Sequence, residues 1–203
     1  MRKVGILGGT FDPVHWGHLA IAQTAFIQAE LDKVIWVTNE CPPHKQATRF
    51  EQRLEMVQEA IADYPAFAIS SLGDREQPSY AISTLIDLQA IYPNTHWYWI
   101  VGLDAFRTLP RWYQRQQFIA QCNWLVAPRL VPAVSSQHQL CAQVAQKLAA
   151  ECLNINWQIL QMPMLAVSSS LIRQYCRDGK AIDYLVPKAV RSYIATHNLY
   201  SHF

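Results

Sequence analysis

The feature that most constrains this chain is one turn, Gly8-Gly9-Thr10-Phe11-Asp12-Pro13-Val14-His15-Trp16-Gly17-His18-Leu19. Before it, residues 3–7 form a short apolar run that reads as a buried strand. After it, Leu19, Ala22, Ala25, Phe26 and Ala29 recur at helical spacing. A strand that passes through a glycine turn into a helix is the unit from which parallel sheets are wound. Such sheets offer the ends of their strands to ligands. Gly8 and Gly9 carry no Cβ, so backbone can approach a phosphate there. The helix opening at Gly17-His18 has free N–H groups and a positive dipole end, both suited to an anion. His15 and His18 are three residues apart, so they share a face and can point at the same oxygen atoms. An HxxH pair can also be half of a metal site, but no carboxylate or thiol stands at companion spacing. Neither the P-loop pattern nor G-x-G-x-x-G is present. The turn predicts a nucleotide site for phosphorus chemistry.

The rest of the chain keeps alternating. Residues 33–37, 67–69, 95–101, 123–127 and 156–160 are short, apolar and rich in β-branched or aromatic side chains, and read as strands. Between them lie helical patterns. Over 50–64, Arg53, Leu54, Val57, Ala60 and Ile61 form the inward stripe. Further helices are expected at 79–91, at 117–121, at 136–152, after Ser168, and over 188–197. The expected fold is α/β: a doubly wound parallel sheet of five or six strands in one domain, 1–203, with the site at the strands' carboxyl ends. The thirty or so residues after 173 are expected to cover the far side of the sheet.

Composition excludes several classes. Apolar residues make up 51% and charged residues 16%, which excludes a disordered chain. A net charge of +2 gives no general field for nucleic acid. Five cysteines without a CxxC argue for reduced thiols, hence a cytoplasmic protein rather than a disulfide or zinc framework. The apolar run after Met1-Arg2-Lys3 stops at Gly8, short of a signal peptide's core. Residues 153–172 are uncharged but too polar for a membrane span. Oligomeric state is left open, a homo-oligomer included.

Polar groups gather where strands end. Two prolines hold Cys41-Pro42-Pro43-His44-Lys45 extended, which places His44 and Lys45 on a stiff loop at the same sheet edge, or simply on a polar surface loop. Gly102-Leu103-Asp104 puts a carboxylate at a strand end, where it either accepts from a ribose hydroxyl or caps the next helix. Trp112 is either a core anchor or a platform for a flat ring. Arg129, following a strand, is a candidate for a phosphate. Ser168, Ser169 and Ser170 at a helix start can cap it and present donors to an anion, and Arg173 is near enough to reach the same anion.

With these residues in place, the first turn resembles the signature of the HxGH nucleotidyltransferases, with His15-Trp16-Gly17-His18 as the HxGH element and Gly8 to Pro13 as the phosphate-facing loop. Residues 167–173, VSSSLIR, resemble that family's second motif, ISSTxIR. The PPHK loop, Pro78-Ser79-Tyr80 and Leu109-Pro110-Arg111-Trp112-Tyr113 resemble its nicotinate mononucleotide adenylyltransferase branch. The resemblance implies that ATP and nicotinate mononucleotide react to give deamido-NAD and pyrophosphate, with Mg²⁺ accompanying ATP and no protein metal ligand assigned. It implies catalytic roles for His15, His18, Lys45 and Arg173. ATP would be met by Gly8, Gly9, Thr10, Phe11, His15, His18, Gly102, Asp104, Ser168, Ser169, Ser170 and Arg173. The mononucleotide would be met by Asn39, His44, Lys45, Tyr80, Ala81, Asp104, Trp112 and Arg129, with Trp112 stacked on the pyridine ring.

Ala81 stands where the branch's P-S-Y-T element has threonine, so preference for nicotinamide over nicotinate mononucleotide stays open. A dinucleotide-binding regulator without catalysis is the alternative from another class. It has no need of His15, His18 and Arg173. Phosphopantetheine adenylyltransferase shares HxGH but lacks the PPHK and P-S-Y elements. Class I aminoacyl-tRNA synthetases are longer chains with basic stripes.

Overall fold

A computed structural model describes residues 1–40, 47–70, 80–129, 134–163 and 165–201. The described strands are β1 (Arg2–Gly9), β2 (Lys33–Thr38), β3 (Phe67–Ile69), β4 (Thr95–Gly102), β5 (Cys122–Ala127) and β6 (Asn156–Ile159). The helices are α1 (Trp16–Gln28), α2 (Phe50–Ile61), α3 (Ala81–Ile91), α4 (Leu103–Thr108), α5 (Arg115–Ile119), α6 (Val134–Ala149), α7 (Ser169–Arg177) and α8 (Lys188–Thr196), with a 3₁₀ turn at Leu109–Arg111. All six strands run parallel in the order β3-β2-β1-β4-β5-β6. The doubly wound sheet is therefore six-stranded.

Side-chain alternation sorts the core onto the two faces. Leu7, Trp36, Ile100 and Leu125 face one layer, packed by α1, α2, α7 and α8. Their sequence neighbours Ile6, Ile35, Trp99 and Trp124 face the other, packed by α3, α4, α5 and α6. Trp36 and Trp124 are fully buried, so truncating either to alanine costs about 3–5 kcal/mol. The residues after 173 do not cover the sheet's far side. α8 packs against α2, in the layer that also holds α1 and the first turn, because Val190 and Ile194 complete that layer's apolar stripe.

The strand order positions the site. From β1 the chain winds outward through β2 and β3, then returns to place β4 on β1's other flank. At such a switch point the loops after the two central strands lead to opposite faces and leave a crevice between them. The loop after β1 is the glycine turn, and the residues after β4 are Leu103 and Asp104.

Candidate active site

A cleft of about 980 Å³ opens at the carboxyl ends of β1, β4 and β5. Its lining includes Thr10, Asp12, His15, His18, Gly102, Asp104, Arg129, Ser168, Ser169, Ser170 and Arg173. The two motifs, some 150 positions apart, thus face one space. Ser169 Oγ donates to the Pro13 carbonyl at 2.9 Å, and Arg173 Nη1 donates to the Asp12 carbonyl at 2.7 Å.

The histidines sit at the start of α1, where His15 is the N-cap in extended backbone. Their rings stack with centroids 3.7 Å apart. The His15 backbone N–H donates to His18 Nδ1 at 3.3 Å. A ring nitrogen that accepts cannot hold the proton, so neutral His18 carries it on Nε2 as a donor. Burial pushes the His15 imidazole down to about 4. Burial, and then the neighbouring His15, hold His18 well below the usual histidine range. Both rings are therefore neutral near pH 7 in the free protein.

Gly17 is required by this stack. A Cβ there would meet the His15 ring at 2.9 Å and Val167 at 3.0 Å. At Gly8, by contrast, a Cβ would meet nothing within 4 Å, so that backbone lies open to a ligand. Phe11 turns away from the cleft. It adopts φ 50°, is buried, and packs its ring on His18 and Trp36, leaving only its backbone for a nucleotide. Gly9 lies beneath that ring.

The three serines do different things. Ser168 Oγ caps α7 by accepting from the Leu171 N–H, Ser169 ties the motifs together as above, and Ser170 Oγ accepts from Arg173 Nη2 at 3.3 Å. Asp104 is not a helix cap. Gly102 occupies the N-cap of α4, and Asp104 pairs with Arg129, which follows the neighbouring strand β5. Arg129 is held through its backbone by the buried Gln137, whose amide donates to its carbonyl at 3.0 Å and accepts from its N–H at 3.1 Å.

Other sequence-predicted residues lie apart from this lining. Asn39 follows β2 beside the glycine turn, its N–H donating to the Gly9 carbonyl at 2.9 Å. Tyr80, at the N-cap of α3, packs its ring against Tyr113 with centroids 4.4 Å apart and planes tilted by 33°, and Ala81 begins that helix. Trp112 is half-buried and packs against the edge of the core. Its ring stacks on Phe118, packs edge-on to Trp124, and donates through Nε1 to Thr108 Oγ1 at 3.0 Å. His44, Lys45 and Cys41 lie outside the described residues.

Sequence reading did not assign Arg53 to the site, although the helical stripe placed an arginine on an inward face. Arg53 is buried, and its guanidinium donates to the carbonyls of Thr10, Asn39, Glu40 and Thr48 at 2.7–2.9 Å. One side chain from α2 thereby joins the glycine turn to both flanks of the 41–46 segment. Gln137 was likewise missed, and Asp12 was read only as part of the phosphate-facing loop. Nothing in local periodicity marks a residue whose partner is a distant backbone atom.

The described geometry defines a doubly wound α/β protein with a polar, anion-suited cleft at its switch point. A family model for cytidylyltransferase-like proteins matches residues 6–175. A protein of Trichormus variabilis named probable nicotinate-nucleotide adenylyltransferase is 54% identical over 99% of this chain and 98% of its own. One of the same name from Geobacillus kaustophilus is 36% identical over 98% of this chain and 87% of its own. Among solved structures, a Plasmodium falciparum nicotinic acid mononucleotide adenylyltransferase complexed with NaAD superposes with a TM-score of 0.79. It shares 18% identity, with 98% of each chain covered, and so speaks to the fold. The chain belongs to the cytidylyltransferase-like nucleotidyltransferases and, within them, to the nicotinate-nucleotide adenylyltransferase family.

Proposed function

We infer that this protein transfers the adenylyl group of ATP to nicotinate mononucleotide, giving deamido-NAD and pyrophosphate. The observation that carries the reading is the convergence of His15, His18 and Arg173 on one cleft at the β1/β4 switch point. The acceptor brings its own nucleophile. Its phosphate has a second pKa of about 6, so it is largely a dianion near pH 7 and needs no general base. One of its oxygens forms a bond to the α-phosphorus of ATP, the bond from that phosphorus to the bridging oxygen breaks, and pyrophosphate leaves with the electron pair.

The protein's task is then to position the reactants and stabilise charge. In this reading His18 donates from Nε2 to an α-phosphate oxygen, with His15 stacked behind it. Arg173 and the N-terminus of α7 face the leaving pyrophosphate. Lys45 and His44 contribute from the 41–46 segment, and Arg129 takes the mononucleotide's phosphate. Among the described residues no three His, Cys, Asp or Glu side chains could together hold a metal. A magnesium ion accompanying ATP would offset phosphate charge there. No described helix is long and apolar enough to cross a membrane, and free cysteines fit our placement of the enzyme in the cytoplasm.

The test is pyrophosphate release by purified protein with magnesium and ATP, comparing nicotinate mononucleotide, nicotinamide mononucleotide and phosphopantetheine. Preference for the first is expected. Preference for the second would move the acceptor assignment to the surroundings of Ala81. No release with any of them would overturn the enzyme reading.

A further inference from the structure

The second motif's arginine is held by a carboxylate, and that carboxylate is held from the end of the chain. Asp12 is buried, and its two oxygens have separate duties. Oδ1 accepts from the Tyr200 hydroxyl at 2.8 Å. Oδ2 lies 3.8 Å from Arg173 Nη1 and accepts from the Thr48 N–H at 3.4 Å. Arg173 also donates to the Asp12 main-chain carbonyl, so it grips both ends of one residue.

Tyr200 is not an ordinary member of the core. It is buried 188 positions away from Asp12 in sequence, and its backbone is left-handed with φ 65°. A bulky residue keeps that strained conformation only where its surroundings over-determine it. Here they are the apolar layer around its ring and the carboxylate on its hydroxyl. A phenylalanine would satisfy the packing; only a tyrosine supplies the donor.

We propose that Tyr200 is a positioning residue for the adenylyl transfer, acting through Asp12 to hold the Arg173 guanidinium where the triphosphate of ATP meets it. The proposal rests on the reading of Arg173 as an ATP contact. A hydrogen bond fixes the rotation of the Asp12 carboxyl. The fixed carboxyl presents Oδ2 to Arg173, which limits the arginine's rotamers before ligand binds. Burial, and then the Asp12 charge, push the Tyr200 phenol above its ordinary range, so it stays protonated and remains a donor. The final segment, which follows the second motif and lies outside both signatures, thereby takes part in the site.

A double-mutant cycle separates this role from a structural one. Tyr200→Phe, Arg173→Ala and the double variant are assayed for kcat and for kcat/KM toward ATP, with nicotinate mononucleotide saturating, and their melting temperatures are recorded. Tyr200→Phe in the wild-type background is expected to lower kcat/KM for ATP about tenfold, the scale of one hydrogen bond to a charged group. In the Arg173→Ala background the same change is expected to cost less than about twofold, since no guanidinium is left to position. Its effect on melting should be equal in both backgrounds. Asp12→Asn gives an independent arm that does not require Tyr200→Phe to fold. It should also lose activity only where Arg173 is present. Equal fold-losses in the two backgrounds, or full activity of Tyr200→Phe, would overturn the proposal while leaving the adenylyltransferase reading intact. An inactive wild type would overturn both.

Discussion

The two walls of the cleft are built differently. On the side of β1 and α7, the polar groups are buried or half-buried, and interlocked. His15 stacks on His18, Arg173 and Ser169 reach back to the first turn, and Tyr200 and Arg53 brace it from behind. On the side of β4 and β5, Asp104 and Arg129 pair with each other at the surface, more than half of each side chain exposed. Arg129 is anchored there through its backbone by Gln137. Dense, desolvated hydrogen bonding favours one geometry, whereas an exposed ion pair contributes little and can exchange partners. The first wall suits the phosphoryl chemistry, whose charges must be met at fixed points. The second suits an acceptor that must enter, displace the ion pair and be recognised.

The largest expected effect falls on the buried wall. His18→Ala should lower kcat roughly 10²-fold or more, the scale of losing a preorganised donor to the transition state. Steady-state turnover measures it, and near-normal kcat would remove His18 from the mechanism. Arg129→Ala should act on the other wall. KM for the mononucleotide is expected to rise about tenfold with kcat changed far less, since a phosphate contact present in both ground and transition states affects binding uniformly. A loss confined to kcat would break the division between the walls. Gly17→Ala adds a methyl against the His15 ring and Val167, so several-fold lower kcat is expected from a protein of unaltered secondary structure by circular dichroism.

The same wall should carry an acid liability. An unfolded histidine titrates near 6.5, whereas buried His15 resists protonation down to about 4. Between those values the unfolded chain binds the extra proton, so stability is present above about 6.5 and falls as pH drops toward 4. His15 alone sets this loss on the order of 3 kcal/mol. Denaturant titrations at pH 7 and pH 4.5 measure it, and His15→Gln should reduce the difference, leaving the part that buried His18 contributes. Equal midpoints for the wild type at both pH values would contradict the burial of neutral rings.

Much of this was legible in the sequence because it was local. Strand and helix periods give all six strands within a residue or two, and the turn from β1 into α1 announces the switch point. Both motifs are contiguous, so their residues could be named before their distance in space was known. What escaped was non-local. Arg53 sits on an apolar stripe because its partners are carbonyls from three other segments. Trp112 follows a proline in a polar stretch, yet its ring belongs to the Phe118–Trp124 cluster. The final segment was expected to cover the far side of the sheet; it joins the near layer and reaches Asp12. No periodicity encodes a partner 188 positions away.

If the buried wall serves the transfer itself, whatever acceptor the other wall admits, loss of its donor should cost the same with either acceptor. The direct test is the fold-loss in kcat of His18→Ala, measured with saturating nicotinate mononucleotide and again with nicotinamide mononucleotide. A loss of about 10²-fold or more is expected with both acceptors, the two factors agreeing within about threefold. A loss seen with one acceptor alone, or with neither, would contradict it.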